Sequence, residues 1–463
     1  MTTHRRNVLG HYVRQFEKLV IIGAGTGIFA WFWYHAFNVS LRIPFENKGN
    51  LLMIAIYLVI QTVFLYVIGG LKIGVYKLKS VLLSQAIGFF VTNLIFFLLI
   101  TLMVGDLYRM GFLVRETLFL CLLQIGAVIL LTSFLELIFR GFNPPKQLMI
   151  LYDETPPDML TAKIRSRKDR YEIVGKLKVD DDWMEALGRR REEKWFTHVI
   201  LYDIGSPRRN DILKFCYQYN LPVYLTPKIS DVLIRSAMEE EIFDSPLLFV
   251  PEYGMTYGQS LIKRVFDVLI SLILIILSSP VMLVTAICIK AEDGGPVFFR
   301  QERCTKGKKV FQILKFRSMV VDAEKDGKSR PAGEKDDRIT KVGSFIRKTR
   351  IDEIPQFFNV LKGDMSLVGP RPERIEHVEK YSAEMPEFAY RLKVKGGLTG
   401  YAQVYGKYNT TAYDKLKMDL FYVQSYSIWL DIKLLLMTIK VLFQKESTEA
   451  FTEEAITKIR RDD

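Results

Sequence analysis

Four apolar stretches crowd the first 140 residues, at 19–37, 51–71, 81–104 and 117–135. Each is near or above the ~20 residues that an α-helix needs to cross a bilayer. This feature constrains the fold most, because a backbone in lipid must satisfy its own hydrogen bonds, and a helix does so within one segment. Residues 1–140 are therefore expected to form a four-helix transmembrane domain. A cleavable leader is not expected: the first run is long, no small-residue cleavage site stands out, and further spans follow at once. Basic residues set the orientation. Arg5, Arg6, Arg14 and Lys18 lie before or at the edge of the first run, and Lys72, Lys77 and Lys79 occupy the second loop. The first loop has Arg42 and Lys48, the third Arg109 and Arg115. This bias predicts a cytoplasmic N-terminus and a cytoplasmic position for everything after Arg140.

One motif inside the first run misleads. "VIIGAGTGIFA" (20–30) looks like a dinucleotide-binding turn, but Ile28 stands where the third glycine belongs and the run continues into "WFWYHAF". Gly23, Gly25 and Gly27 read instead as small residues that let helices approach closely. Beyond Gln147, "QLMILYD", "THVILYDI" and "LPVYLTP" read as strands and "NDILKFCYQYN" as a helix. Strands alternating with helices predict a Rossmann-like α/β cytoplasmic module over 145–255. Its first strand leads into "ETPPDM", acids and prolines rather than a glycine turn, so a structural or regulatory module without nucleotide is expected. The four cysteines are scattered and form no CxxC pair, which indicates neither a disulfide framework nor a zinc site.

A fifth apolar run, 268–289, is long enough to cross a bilayer. Basic residues flank both of its ends, and Pro280 follows Ser278 and Ser279 near its middle. Proline removes a helical hydrogen bond and kinks the helix. A re-entrant helix over 265–290, breaking at Ser279–Pro280 and returning to the same side, satisfies both features. Lys263 and Arg264 are expected to anchor it at the lipid headgroups.

The remaining sequence carries the chemistry. Residues 291–350 hold 16 Lys/Arg against 9 Asp/Glu, more than half of the chain's formal excess of +13. Such a surface beside a membrane suits anionic lipid or phosphorylated ligands; no nucleic-acid motif accompanies it. "KFRSM" (315–319) alternates like a strand, which puts Lys315 and Arg317 on one side. Residues 322–341 read as a polar loop able to close over a ligand. "FIRKTRIDEIPQFFNVL" has helical spacing, and Thr349 with Asp352 fits a capping box. On that pattern Asp352 and Glu353 would do no more than favour a helix N-terminus, where Asp352 would stay ionised.

"KRVFDV", "KFRSM", "RIDEIPQFFNVLKGDMSLVGPRP" and "GLTGYAQVYG" occur in order. Together they resemble the bacterial sugar transferase family, the polyprenyl-phosphate sugar-phosphate transferases, over about 263–443. The preceding spans and α/β module resemble the long-form members in architecture. The resemblance implies an α/β monotopic phosphotransferase domain (260–445) followed by a charged tail (446–463), in a bacterial inner membrane. It implies transfer of a sugar 1-phosphate from a UDP-sugar to undecaprenyl phosphate with loss of UMP. It also implies Asp352 as nucleophile and Mg2+ ligand, with Glu353 assisting. Arg347 and Arg371 are then expected to contact phosphate, with Arg317 and Lys315 as weaker candidates. Gly396, Tyr401 and Tyr405 depart from the usual "PGLTG" and "GWAQVNG", which leaves the sugar open among galactose, glucose and N-acetylated forms. Residues 421–443 resemble the family's interfacial segment. Membrane lipids are expected partners, and a homo-oligomer is possible. Two other readings stay open: a non-catalytic membrane scaffold that recruits polysaccharide assembly partners, and an ordinary glycosyltransferase, which would release UDP rather than UMP.

Overall fold

A computed structural model describes residues 3–443 apart from 194, 252–253, 322, 324–335, 337 and 408–409. Most of the expected 322–341 loop and the whole charged tail lie outside these residues. The chain divides into two compact units between Thr226 and Pro227.

The first unit opens with helices α1 (Thr3–Phe32), α2 (Asn47–Ile68), α3 (Leu78–Val104) and α4 (Met110–Phe142). All four are long and apolar enough to cross a membrane. Lipid gives apolar helices little reason to prefer one another, so polar contacts help choose partners. Here one network ties all four. Gln124 of α4 donates to the Gly25 carbonyl of α1 at 2.8 Å and to the Tyr57 hydroxyl of α2 at 2.9 Å. Tyr57 donates to Asn93 Oδ1 of α3 at 2.8 Å, and Asn93 Nδ2 returns to Gln124 Oε1 at 2.7 Å. The expectation for the glycines holds at Gly25, where a Cβ would sit 2.4 Å from the Phe89 ring. It fails at Gly23 and Gly27, which face open space among the described residues.

The same unit continues with β1 (Lys146–Tyr152), α5 (Asp158–Arg165), β2 (Tyr171–Lys178), α6 (Trp183–Glu192), β3 (His198–Tyr202), α7 (Ser206–Gln218) and β4 (Val223–Leu225). The strands form a parallel sheet in the order β2-β1-β3-β4. The central strands β1 and β3 carry continuous apolar runs because both faces are covered; Met149, Ile150, Leu151, Val199 and Leu201 are all buried. Arg167 and Arg170 both donate to the Val75 carbonyl at 3.0 Å, fastening the sheet domain to the loop between α2 and α3.

The second unit contains α8 (Ile229–Ile234), a hairpin of β5 (Met238–Ile242) and β6 (Ser245–Phe249), α9 (Tyr257–Asp293), β7 (Phe298–Cys304), β8 (Val310–Phe316), α10 (Lys341–Lys348), a 3-10 turn at Ile351–Glu353, and α11 (Gln356–Lys362). It ends with β9 (Ser366–Val368), α12 (Ile375–Glu384), a 3-10 segment at Pro386–Lys393, β10 (Gly397–Thr399), α13 (Tyr401–Tyr405), α14 (Ala412–Gln424) and α15 (Ile428–Leu442). The described residues of 227–255, expected in the 145–255 module, fall in this unit; Ser236 donates to Gln424 at 2.7 Å.

Helix α9 is the fifth helix long and apolar enough to span a bilayer. Protein covers 11% of its most apolar window, against 28–39% for the other four. Helical structure runs unbroken through Pro280. The carbonyl that the proline cannot serve, Ile276, accepts from Ser279 Oγ at 2.8 Å, which offsets the lost bond. Lys263 and Arg264, expected to anchor the helix at the headgroups, are instead taken up by partners within the fold. Lys263 is 6% exposed and donates to the buried Asp431 of α15 at 2.6 Å. Arg264 caps the carbonyl end of α11 through Val360 and Leu361, both at 2.6 Å. Asp267 accepts from Ser366 Oγ at 2.7 Å and Leu367 N at 3.1 Å. The base of α9 is thereby pinned to the soluble fold.

Candidate active site

The single helix expected from "FIRKTRIDEIPQFFNVL" is three pieces. Helix α10 starts with Thr340 capping Gly343 N at 2.9 Å, and the Glu292 carboxylate accepts from Lys341 N at 2.7 Å. It ends where Arg350 turns left-handed, at φ +57°. A non-glycine residue there costs about 1–2 kcal/mol. Pro355 has no N–H to extend an α-helix back to Ile351, so a 3-10 turn carries Ile351, Asp352 and Glu353. The capping box does not form. Thr349 donates back to the Phe345 carbonyl at 2.9 Å, and the next helix begins at Gln356.

Strand β8 reaches this turn through Asn359 of α11. Its side chain accepts from Leu314 N at 2.8 Å and donates to the Gln312 carbonyl at 2.8 Å, imitating a neighbouring strand. The register places Lys315 Nζ 3.0 Å from Glu353 Oε1. Arg371 Nη2 donates to the same oxygen at 2.7 Å, and Arg350 Nη1 lies 3.9 Å from Glu353 Oε2. Burial alone would raise Glu353, but the charges of Arg371 and Lys315 and the Arg371 hydrogen bond overcome it and hold the carboxyl well below the usual range.

Asp352 is the opposite case. Among the described residues its side chain makes no hydrogen bond and no ion pair. Burial, then the neighbouring charge of Glu353, push its carboxyl above the ordinary value; Lys315, Arg347 and Arg371 pull it back from a distance. The expected stabilisation of the ionised form by a helix N-terminus is absent. One acid of the pair is saturated with cations, and the other is held among the same cations with its oxygens free.

Lys315, Asp352, Glu353 and Arg371 therefore come together, with Arg347 near enough for its charge to act on Asp352. Arg317 goes elsewhere: it is buried and paired with Asp293 at the end of α9. It packs so tightly over Gly295 that a Cβ there would overlap the guanidinium. Ser279 and Pro280 stay on α9. The segment "GLTGYAQVYG" lies behind Arg371. Gly397 N donates to the Pro370 carbonyl at 2.8 Å and Gly369 N to that of Thr399 at 2.8 Å. A Cβ on Gly396 would come 2.6 Å from Pro372. Sequence reasoning missed Asn359, Glu292 and Asp293, whose signal is an ordinary polar residue in an unremarkable context.

Among the described residues no group of three or more His, Cys, Asp or Glu is placed to hold a metal ion. A magnesium ion needs no such cage; one or two carboxylates with substrate phosphates and water suffice. The free carboxylate of Asp352 fits that use, while Glu353 is already occupied.

The profile of the bacterial sugar transferase family matches residues 258–445. The chain is 42% identical over 233 residues to a UDP-N-acetylgalactosamine-undecaprenyl-phosphate N-acetylgalactosaminephosphotransferase of Aeromonas hydrophila, covering 49% of this chain and 53% of that protein. It is 42% identical over 222 residues to a UDP-glucose:undecaprenyl-phosphate glucose-1-phosphate transferase of Klebsiella pneumoniae, covering 47% and 48%. With a protein of the same description from Caulobacter vibrioides it shares 42% identity over 191 residues, 40% of this chain and 71% of the other. The matched stretch spans about half the length of the first two relatives.

Proposed function

The chain belongs to the bacterial sugar transferase family, and from that premise we propose that it transfers a sugar 1-phosphate from a UDP-sugar to undecaprenyl phosphate. Asp352 attacks the phosphorus that carries the sugar. The bond to the bridging oxygen breaks and UMP leaves, with an acyl phosphate on Asp352. A phosphate oxygen of undecaprenyl phosphate then attacks the same phosphorus, releasing the carboxylate and forming the lipid diphosphate sugar. Substrate and product are both phosphoanhydrides, and an acyl phosphate keeps the bond energy available for the second step.

The observation that carries this reading is the unequal pair. A nucleophile needs free oxygens, and Asp352 has them. Glu353 holds Lys315 and Arg371 with their charges beside Asp352, where phosphate oxygens would meet them, and positioning plus charge supply most of the catalysis in phosphoryl transfer. Magnesium bound at Asp352 would offset further phosphate charge.

The setting agrees with this chemistry. The acceptor is a lipid, and α9 needs a lipid surround while its base is pinned beside β9 and α11. We place the site on the cytoplasmic face of the inner membrane, with α9 bending at Ser279–Pro280 and returning to that face. Both α9 ends are basic, and the α/β module contacts the lysine-bearing loop between α2 and α3. The physiological role is the first membrane step of capsule, exopolysaccharide or O-antigen synthesis.

Purified protein in lipid, supplied with undecaprenyl phosphate, Mg2+ and a panel of UDP-sugars, tests the reading. UMP is expected with one sugar or a narrow set. Release of UDP would make the chain an ordinary glycosyltransferase, and no release with any sugar would favour the scaffold reading.

A further inference from the structure

Arg371 sits in "GPRPE", between two residues that have no N–H. Such a segment is short of donors to brace itself, and its carbonyls must be served from outside. Four in succession are. Pro370 O accepts from Gly397 N at 2.8 Å and Glu373 O from Cys304 N at 3.0 Å. Between them, Arg371 O accepts from Arg391 Nη2 at 2.9 Å and Pro372 O from Arg303 Nη1 at 3.2 Å.

The two guanidinium donors come from different elements, Arg303 from β7 and Arg391 from the 3-10 segment. Arg391 is 5% exposed and pairs with Asp419 of α14 at 2.7 Å; Asp419 is 1% exposed. Burial pushes the Asp419 carboxyl up to about 6 against the opposing charge of Arg391. A pair enclosed at that cost contributes little net stability compared with apolar residues of the same volume, which leaves geometry as its benefit. The geometry in question is that of Arg371, whose own carbonyl takes the Arg391 bond while its side chain reaches Glu353.

We propose that Arg391 and Arg303, with Asp419 holding Arg391, are positioning residues for the Arg371 guanidinium, acting through the two carbonyls at its own turn. This rests on the reading of Arg371 as a phosphate contact in the transfer reaction. At Arg303 the planar fork serves the Pro372 carbonyl through Nη1 and Gln301 Oε1 through Nη2, at 2.7 Å, and at Arg391 the Nη2 group meets both the Arg371 carbonyl and the Asp419 carboxylate; a lysine ammonium cannot match these directions.

The test is a double-mutant cycle on the full chain in lipid. Arg391→Lys, Arg303→Lys, Asp419→Asn and Arg371→Lys are made singly, and the first three are each combined with Arg371→Lys. Misplacing a catalytic group by about 1 Å costs on the order of 100-fold, so each positioning variant is expected to lower kcat at least ~10-fold. Combined with Arg371→Lys, each should add less than ~3-fold, because the group it positions is already lost. Hydrogen exchange of the 366–378 peptide provides a readout independent of turnover, and it should quicken in the positioning variants. Multiplicative losses in the cycle, or unchanged kcat with faster exchange, would overturn the proposal and leave these residues a purely structural role. If the unsubstituted protein turns over no UDP-sugar, the transfer reading falls and the positioning role falls with it; normal turnover by the unsubstituted protein with multiplicative losses in the cycle, or with unchanged exchange in the variants, overturns the positioning role alone.

Discussion

The chain has two α/β regions, and they differ in regularity. The middle module is a four-stranded parallel sheet with buried central strands. The last unit has three two-stranded pieces and is fastened by side chains: Asn359 standing in for a strand, Arg264 capping a helix, Lys263 pinned to Asp431. At the strand ends of the module, Asp153 pairs with Arg208, and Asp203 accepts from Thr155 at 3.2 Å. In the last unit a residue at φ +57° presents one saturated and one unpartnered acid to several cations. Left-handed backbone does not by itself separate the two regions, since Asp203 and Asn220 of the module have φ +50° and +53°; the lesson is that an unpartnered acid beside cross-braced cations marks the candidate site, whereas the acids at the module's strand ends are partnered.

Six substitutions sharpen or break that contrast. Asp352→Asn has the largest expected effect, on the order of 10⁴-fold or more in UMP release, with an unchanged melting temperature. Lys315→Met, which removes a charge, and Arg371→Lys, which keeps the charge but loses the planar fork, are expected to lower kcat ~100-fold, since each takes a preset donor from the phosphate undergoing transfer; an effect confined to KM would assign them to ground-state binding. Glu353→Gln should move the acid limb of the rate–pH profile as well as lower the rate. Asp352 must be ionised to attack, and its pKa is raised by burial and then by Glu353. Removing that charge and freeing Lys315 and Arg371 lowers the Asp352 pKa, so the limb shifts to lower pH; a shift to higher pH would contradict the electrostatic account. The smallest effect on turnover is expected in the module. Leu201→Ala should destabilise it by ~2–5 kcal/mol, yet kcat per folded molecule should stay within ~2-fold, as should that of Asp203→Asn. A large loss of kcat in either would make the module part of the catalytic machinery.

The same contrast governs what the sequence alone could tell. The membrane helices and three of the module's four strands were legible, because hydrophobic length and period depend on local composition. Strand β2 was not anticipated; "YEIVGKLK" mixes apolar and charged residues at the sheet edge. In the last unit, helical periodicity across 345–361 concealed the turn, because the break depends on the left-handed Arg350 and on Pro355 rather than on the apolar pattern. Charge was the poorest guide to position. Lys263, Arg264 and Arg317 all read as surface or ligand-binding cations, and all three are spent on partners brought from elsewhere in the fold. The convergence of Lys315 and Arg371 on Glu353 joins residues 38 and 18 positions away, which no local pattern encodes.

The central claim is that Asp352 carries the sugar phosphate. Its direct test is mass spectrometry of the protein incubated with its UDP-sugar and Mg2+ but without undecaprenyl phosphate. The account predicts one equivalent of UMP and a sugar-phosphate adduct on the peptide containing Asp352, discharged when undecaprenyl phosphate is added and absent in Asp352→Asn. UMP that appears only when both substrates are present, with no adduct on the rapidly quenched enzyme, would contradict it.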